Sequence, residues 1–385
     1  MEHIRAAVMV APGRMEIREF PRPKMSEGLL VKVELAGICG TDKHNFSGQN
    51  RQYVGTPHET STPFPIIPGH ENVGTIVEIF NPDHRAKDFN GNTLKVGDRI
   101  TMCPDVVCGE CWYCRNTFGY PWCENMKGYG NAFSCDDPPH LMGGWAEMMY
   151  ITPKTFIYKV PETIPVEAAM LSELFTVTAG LETAKECFSL ANLGFGSFPT
   201  VVVFGVGPLG LCCVIKSRLM GAGRIIAIDR SAYRLKAARK FGADETIDTH
   251  ELDEAARREF VRSLTSGRGA DVVVGCAGEA ETFPEGLNLL RNAGTYIEIG
   301  IFVDSGDSSV NVSRQVCTKN ARIIGICNHP FTEYANTHRI FEKYGDQIPF
   351  KELVSHVYPL ERAQEALQKS MELESLKVAL KPTRP

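Results

Sequence analysis

The sequence predicts a two-domain α/β protein: a mostly-β first part, followed by a parallel sheet flanked by helices. Its 385 residues are enough for two domains of ordinary size. The first 160 residues or so are rich in Gly and Pro, and from about Pro165 apolar strands and helices alternate. A final apolar run, Leu376 to Leu380, is a candidate strand that returns to the first domain.

Short β-branched runs separated by turn residues define the first part. They are Leu29 to Leu35, Thr75 to Ile79, and Arg99 to Met102. Many short strands with Gly and Pro between them predict a sandwich or a barrel-like domain.

The second part alternates between two kinds of element. The predicted strands are Val201 to Phe204, Arg224 to Asp229, Asp271 to Cys276 and Gly294 to Ile299. The predicted helices are Val166 to Glu186, Pro208 to Met220, Ala232 to Phe241, Phe283 to Leu290, Arg339 to Tyr344 and Leu360 to Met371. Alternation of this kind predicts right-handed βαβ units and a parallel sheet.

Charge and composition exclude several classes of protein. Lys and Arg number 41 and Asp and Glu 46, so a net charge of −5 gives no reason to expect a nucleic-acid or anionic-membrane partner. The longest uncharged apolar stretch, Val201 to Ile215, is shorter than the ~18 residues of a membrane span. The charged N-terminus does not look like a signal peptide, and 13 clustered cysteines do not suit a disulfide scaffold. We therefore expect a cytoplasmic protein.

A glycine-rich turn joins the first predicted strand of the second part to its helix. It reads Gly205, Val206, Gly207, Pro208, Leu209 and Gly210. A G-x-G-x-x-G turn in this context predicts a dinucleotide site, with the pyrophosphate at the helix N-terminus. Asp229 ends the next strand and can accept hydrogen bonds from ribose hydroxyls, which favours NAD. Arg230 and Arg234 weaken that preference, because either could pair with the 2′-phosphate of NADP.

Four cysteines with short spacing indicate a closed metal site. They are Cys108, Cys111, Cys114 and Cys123. Four thiolates suit tetrahedral zinc and leave no ligand position for substrate, so the predicted role is structural. A redox pair and an iron–sulfur cluster are the alternatives. Cys103 and Cys135 flank this loop and are expected to be small buried hydrophobes.

Three further segments together suggest an open metal site. The first contains Cys39, the second His70 followed by Glu71, and the third Glu173. Each residue alone is weak evidence. Together they offer one thiolate, one imidazole and two carboxylates, a set that suits zinc with a position left for water or substrate.

With these motifs in this order, the chain resembles the zinc-dependent medium-chain dehydrogenase/reductase family, in its sorbitol and threonine dehydrogenase-like branch. Cys-Gly-Thr-Asp-x-His comes first, then Gly-His-Glu, the four-cysteine lobe, the Glu173 segment and the nucleotide fingerprint. The resemblance implies a GroES-like catalytic domain over 1–174 and 326–385, with a structural zinc lobe at about 103–125. It also implies a Rossmann doubly wound parallel-sheet NAD-binding domain over 175–325.

The resemblance also implies roles for individual residues. Cys39 and His70 are zinc ligands, and either Glu71 or Glu173 is the direct third ligand. Asp42 orients the zinc histidine, and Thr41 and His44 form a proton relay through the cofactor ribose. The cofactor is further contacted by Cys276, Gly300 and Ile301, and the zinc faces the nicotinamide ring across a cleft between the domains.

The implied function is hydride transfer between NAD and a secondary alcohol, polyol or similar compound, giving a ketone or aldehyde. Two zinc ions per chain are expected, one catalytic and one structural, in a homodimer or homotetramer. The subunits would extend the nucleotide-domain sheet, with Gly294 to Ile299 as its edge. His58 and His140 are candidates to touch the substrate. The alternatives are an enzyme with tightly held NAD(H) on the same scaffold and a catalytically silent nucleotide-binding relative.

Overall fold

The computed structural model describes residues 3–56, 59–81, 86–117, 121–185, 196 and 198–382. The chain divides into two compact units. One consists of Met1–Thr176 together with Pro330–Pro385, and the other of Val177–His329. None of the helices in the described ranges is both long enough and apolar enough to span a bilayer.

The strands and helices are numbered here in chain order. The strands are β1 (His3–Ala11), β2 (Arg14–Pro21), β3 (Leu29–Gly37), β4 (Arg51–Gln52), β5 (Thr60–Ser61), β6 (Asn72–Ile79), β7 (Arg99–Met102), β8 (Asp105–Val106), β9 (Lys127–Gly128), β10 (Met148–Ile151), β11 (Ile157–Lys159), β12 (Thr200–Phe204), β13 (Arg224–Asp229), β14 (Glu245–Asp248), β15 (Ala270–Gly275), β16 (Leu290–Glu298), β17 (Arg322–Gly325), β18 (Val354–Pro359) and β19 (Lys377–Lys381). The α-helices are α1 (Gly40–Phe46), α2 (Trp112–Asn116), α3 (Val166–Met170), α4 (Ser172–Val177), α5 (Pro208–Leu219), α6 (Ala232–Lys240), α7 (Glu254–Ser263), α8 (Thr282–Leu289), α9 (Tyr334–Tyr344) and α10 (Ala363–Met371). Four 3₁₀ segments lie at Thr178–Lys185, Phe331–Glu333, Phe350–Leu353 and Leu360–Arg362, and a π-helical turn lies at Val312–Cys317.

The first unit is built on a mainly antiparallel sheet. Its order is β11-β7-β6-β3-β19-β18, and β10 also pairs with β3. The last strand, β19, is antiparallel to β3, with Leu380 opposite Ala36. The C-terminal segment therefore returns to the first unit and lies beside the strand that leads to Cys39.

The second unit is a parallel six-stranded sheet with the order β14-β13-β12-β15-β16-β17. Its central strands are apolar on both faces, as Val201, Val202 and Val203 are all fully buried. Burial on both faces is what a parallel sheet covered by helices requires. The strand order reverses between β12 and β15, and ligands of such sheets bind beside that point, at the carboxyl ends of the strands.

Several predicted elements differ from the observed ones. The helix predicted over Val166 to Glu186 is instead α3, α4 and a 3₁₀ segment ending at Lys185, and Glu186 lies outside the described residues. The 3₁₀ segment packs closely against Ile326: a Cβ built on Gly180 would lie 2.8 Å from the side chain of that residue.

The predicted sheet edge was also wrong. Gly294 to Ile299 falls largely within β16, which pairs with β15 on one side and β17 on the other. The edge strand on this side of the sheet is β17, a four-residue strand with alternating exposure that was not predicted. The elements β14 and α7 were not predicted either. Strand β14 is short and carries acidic residues at both ends, so it lacks a recognisable apolar pattern.

Candidate functional site

Cys39 lies where β3 gives way to α1. The carboxylate of Asp42, in the first turn of α1, accepts a hydrogen bond of 2.8 Å from the backbone N–H of Cys39. Its other oxygen accepts a longer bond, 3.4 Å, from Gly69 N–H. Through these two hydrogen bonds Asp42, which is only 1% exposed, connects the segment that carries Cys39 to the segment that carries His70.

His70 and Glu71 follow a glycine that the packing requires. Gly69 has a φ of +92°, and a Cβ there would lie 2.2 Å from the ring of the buried Trp145. Gly37 is equally constrained, because its Cβ would lie 2.1 Å from Oε2 of Glu71. Because neither glycine carries a Cβ, the side chain of Trp145 can pack against the backbone at Gly69 and that of Glu71 against the backbone at Gly37.

The structure brings Cys39, His70 and Glu71 together. One ligand atom from each lies within 4.8 Å of the other two. Burial of His70 disfavours its charged form and by itself would lower its pKa. The nearby negative groups outweigh this effect and hold the pKa of His70 well above its usual value; Cys39 contributes most, and Asp42 and Glu173 contribute less. Two predicted ligands that lie 31 residues apart in the sequence thus form one largely buried cluster with a carboxylate beside it.

This cluster fits a divalent cation. The buried Nδ1 of His70 has no hydrogen-bond partner among the residues that the structure describes, including Asp42, which the resemblance assigned to orient this ring. Thiolate, imidazole and carboxylate are the donors that zinc prefers.

Lys377 is a site residue that the sequence reading missed. Its Nζ lies 2.6 Å from each oxygen of Glu71 and donates to the carbonyl oxygen of Ile38 at 3.1 Å. Lys377 is 3% exposed and the Glu71 side chain 0%, so this is a fully buried ion pair. The available signal was a lysine at the start of the largely apolar strand β19, because a buried lysine needs an anionic partner.

Glu173 lies in the first turn of α4 and is also buried. It is not one of the three residues of the close cluster. Burial raises the pKa of its carboxyl to about 7, and the negative charge of Glu71 adds to that effect. Its carboxylate is therefore close enough to the cluster to interact with it electrostatically.

The predicted relay residues Thr41 and His44 both lie on α1. Nδ1 of His44 lies 2.6 Å from the side-chain carbonyl oxygen of Gln49, a partner that the sequence reading did not name. Because that oxygen only accepts, Nδ1 carries the proton and Nε2 is the basic nitrogen of the neutral ring. Of the two candidate substrate histidines, His58 lies outside the described residues. His140 stacks on Phe20, with ring centroids 5.7 Å apart.

The four cysteines of the lobe come together as one cluster. Their sulfur atoms all lie within 4.8 Å of one another, and the sulfurs of Cys108 and Cys114 are 4.0 Å apart. Tetrahedral zinc with Zn–S of ~2.3 Å places its sulfurs ~3.8 Å apart. Backbone N–H groups of Glu110 and Cys111 lower the pKa of Cys108 to about 6, which favours its thiolate. Cys103 and Cys135 are both buried in apolar packing, as expected.

The glycine-rich turn of the second unit has the geometry of a phosphate loop. Gly205 has a φ of +89°, and a Cβ on Gly210 would lie 1.9 Å from the carbonyl oxygen of Gly205. Gly207 leaves its surface open, with the nearest atom, Nη1 of Arg234, 3.6 Å from a Cβ built there. Pro208 begins α5, so the predicted Val206, Pro208 and Leu209 lie at the loop and the start of the helix.

Asp229 ends β13 and braces this loop. One carboxylate oxygen accepts from Val206 N–H at 2.8 Å and the other from Ser231 N–H at 2.9 Å. Arg230 pairs with Glu279 at 3.1 Å, whereas burial lowers the pKa of Arg234. Asp229 thus lies beside the glycine-rich loop, and Arg234 is close to Gly207.

The remaining predicted cofactor residues lie at the ends of two adjacent strands. Cys276 follows β15, and Gly300 and Ile301 follow β16. A Cβ on Gly300 would lie 2.5 Å from the carbonyl oxygen of Ala277. Glu298, which the sequence reading did not name, accepts from the N–H groups of Gly300 and Ile301 at 2.9 and 3.0 Å.

Comparison with known proteins places these features in a family. Residues 26–162 match the family described as alcohol dehydrogenase GroES-like domain, and residues 208–343 match zinc-binding dehydrogenase. A 5-exo-hydroxycamphor dehydrogenase of Pseudomonas putida is 32% identical over 371 residues, which cover 96% of each chain. An erythritol/L-threitol dehydrogenase of Mycolicibacterium smegmatis is 31% identical over 383 residues, 99% of this chain and 98% of the relative.

A solved structure covers the chain completely. The alcohol dehydrogenase of Thermotoga maritima is 32% identical, with a TM-score of 0.88 over 100% of both chains. The mostly-β sheet unit and the parallel-sheet unit therefore correspond to a GroES-like and a Rossmann fold. These matches give no support to a catalytically silent role. The chain belongs to the zinc-dependent medium-chain dehydrogenase/reductase family, and it is an oxidoreductase that interconverts an alcohol and a carbonyl compound with zinc and a nicotinamide dinucleotide.

Proposed function

We propose that this chain oxidises a secondary alcohol or polyol with NAD, with one zinc ion at Cys39, His70 and a buried carboxylate. A second, structural zinc ion would be held by the four-cysteine lobe. The first unit would be the catalytic domain and the second the nucleotide-binding domain. The proposal rests on the cluster of the partly buried Cys39 thiol with the buried His70 imidazole and Glu71 carboxylate, whose ligand atoms lie within 4.8 Å of one another.

The donor set explains how the chain would tune its metal. When bound, zinc supplies Lewis acidity, which lowers the pKa of an alcohol hydroxyl and polarises a carbonyl group. Cys39 and His70 would hold the ion, with Glu71 or Glu173 as the third donor. Lys377 neutralises one of the two carboxylates, since its Nζ is bonded to both oxygens of Glu71. A Glu71 held in this pair leaves Glu173 as the carboxylate with the greater freedom to act as ligand.

The proton released from the alcohol would leave through α1. Thr41 Oγ1 would pass it towards the cofactor ribose, and Nε2 of His44 would accept it. Gln49 supports this role because its carbonyl oxygen, 2.6 Å from Nδ1, keeps the other ring proton in place. Proton relays of this kind contribute on the order of 10²–10⁴-fold to rate.

NAD rather than NADP is proposed as the cofactor because of Asp229. Each of its oxygens receives one backbone N–H bond and keeps a second lone pair that can accept from a ribose hydroxyl. Its negative charge would repel a 2′-phosphate. Arg234, close to Gly207, would then serve the pyrophosphate.

The substrate class rests on the relatives. Their names give hydroxycamphor, erythritol and threitol as substrates, all of which carry alcohol groups. We propose an uncharged alcohol or polyol for this chain on that basis.

A homo-oligomer formed through β17 is also proposed. This strand is one of the two edges of the six-stranded sheet, and its Ile323 is 42% exposed. An exposed edge strand is a template for pairing with a second copy across a two-fold axis. Ile323→Lys should therefore lower the mass measured by light scattering to that of a smaller species, and an unchanged mass would exclude this interface. A cytoplasmic setting is proposed as well, because clustered thiols that would bind zinc suit a reducing compartment.

The experiment that tests the proposed function is a substrate panel with metal control. Secondary alcohols, tetritols and hexitols would each be incubated with NAD, and formation of reduced nicotinamide followed by absorbance. Chelator dialysis should abolish turnover and zinc should restore it. Cys39→Ala should be inactive, whereas Cys135→Ala, a buried cysteine in apolar packing, should remain active. Turnover that survives both chelation and Cys39→Ala would refute the proposal.

A further inference from the structure

Helix α9 is connected to α4, the helix that carries Glu173, by two buried side-chain hydrogen bonds. Nε2 of His338 lies 3.1 Å from Oγ of Ser172, and Oγ1 of Thr337 lies 2.9 Å from Oγ1 of Thr176. All four side chains belong to residues that are at most 5% exposed. Two adjacent residues of α9 thus bond to two residues of α4 on either side of Glu173.

The direction of the histidine bond follows from its partner. The hydroxyl of Ser172 donates its single hydrogen to the carbonyl oxygen of Ala169 at 2.7 Å. Nε2 of His338 must therefore be the donor to Ser172, since the serine proton is already used. Burial lowers the pKa of His338 to about 4, which agrees with a neutral ring that carries its proton on Nε2.

Adhesion between these helices does not need polar groups. Phe175 of α4 packs against Phe341 of α9 and against Phe350, with ring centroids 5.3 and 5.9 Å apart. Apolar packing of this kind supplies most of the association free energy but tolerates small rotations. A buried, fully bonded polar pair instead fixes one arrangement, because any slip leaves its polar groups unsatisfied.

Rotation of α4 about its axis would move the Glu173 carboxylate relative to the proposed metal site. Ser172 and Thr176 are four residues apart, so they share one face of the helix, and Glu173 projects about 100° away from Ser172. A carboxylate ~5–6 Å from the helix axis moves by ~1 Å for a rotation of about 10°. Metal–ligand distances tolerate only about ±0.2 Å.

We propose that Thr337 and His338 are positioning residues that fix the rotation of α4 and thereby aim the Glu173 carboxylate at the Cys39 and His70 donor set. This inference rests on the proposed function, specifically on Glu173 as part of the metal site. Loss of a group that orients a metal ligand typically weakens metal affinity by about 10–100-fold. The same loss is expected for His338→Ala and, to a smaller degree, for Thr337→Val.

The test uses the full chain loaded with cobalt(II), whose visible absorption reports the ligand geometry. Cys39→Ala, which keeps the four-cysteine lobe, provides the spectrum to subtract. His338→Ala and Thr337→Val should change the difference spectrum and weaken cobalt binding, and His338→Gln should restore both by supplying an N–H donor. Asn336→Ala is the matched control, since Asn336 lies exposed on the same helix and bonds to Glu333.

Glu173→Gln separates the two levels of the proposal. If it changes the spectrum while His338→Ala and Thr337→Val only lower the urea midpoint, the positioning role is overturned and the Glu173 assignment survives. If Glu173→Gln leaves the spectrum unchanged, the carboxylate is not part of the metal site and both statements fail. Because Thr337→Val removes only one hydroxyl, it keeps the test decisive even if His338→Ala does not fold.

Discussion

Loss of the buried ion pair between Lys377 and Glu71 should destabilise the first unit strongly. Nζ of Lys377 lies 2.6 Å from both carboxylate oxygens, and the two side chains are 3% and 0% exposed. Lys377→Met shortens the side chain by only one atom but leaves a carboxylate buried without its cation. Removal of one partner from a buried pair costs about 3–5 kcal/mol, so we expect the free energy of unfolding to fall by about that amount.

The assay is urea unfolding of the chelator-treated protein, followed by tryptophan fluorescence. All three tryptophans, Trp112, Trp122 and Trp145, belong to the first unit, so the signal reports the unit that contains the pair. The double variant Lys377→Met with Glu71→Gln should recover most of the loss, because the unpaired charge is gone. Lys369→Met is the control: its partner Glu372 is largely exposed, and exposed pairs contribute little.

Two results would refute this reasoning. A loss below about 1 kcal/mol for Lys377→Met would mean that the pair is solvated or that Glu71 is protonated. A double variant as unstable as the single one would mean that Lys377 acts through packing of its side chain rather than through its charge.

Three further predictions concern separate parts of the molecule. Asp229→Ala should lower kcat/KM for NAD by about 10–100-fold while NADP use falls less, as measured by reduced-nicotinamide absorbance; Asp248→Ala, at the end of the next strand, should leave the ratio unchanged. Burial lowers the pKa of His338 to about 4, although the charge of Asp88 acts in the opposite direction. As the pH falls below 6.5, the ordinary pKa of histidine, this residue therefore takes up a proton in the unfolded chain before it does so in the folded chain. Stability should therefore drop by about 1.4 kcal/mol per pH unit between pH 6.5 and 4 on account of this residue, and the urea-unfolding curves of His338→Gln should lack that component. Cys111→Ser should lower the thermal midpoint and remove one zinc ion, because it breaks a closed site, while enzyme that remains folded keeps its turnover; a normal midpoint would show that the lobe does not hold structural zinc.

Residues whose role follows from local sequence context could be predicted. The nucleotide loop needs glycines at fixed positions, and Gly205 does take a φ of +89° while Gly210 leaves no room for a Cβ. The four cysteines lie within a segment of 16 residues, so their convergence needs only a local loop. The motifs around Cys39 and His70 also predicted that these two residues belong to one site, and their ligand atoms do lie within 4.8 Å of each other.

What escaped the sequence reading depends on long-range contacts. Lys377 reaches Glu71 across 306 positions, and no local pattern indicates which buried anion meets it. The contact of His338 with Ser172 spans 166 positions in the same way. The true sheet edge escaped for another reason: β17 has only four residues and alternates in exposure, so it lacks the continuous apolar run that identified its neighbours.

The most direct test is the zinc content of Cys39→Ala, measured by elemental analysis beside its circular dichroism. The cluster of Cys39, His70 and Glu71 and the four-cysteine lobe together predict two zinc ions in the unmodified chain. The variant should keep one of them, together with the far-ultraviolet spectrum of the folded protein, and it should lose turnover. A variant that keeps both ions, or that still oxidises an alcohol at the original rate, would contradict the assignment of Cys39 to the catalytic metal.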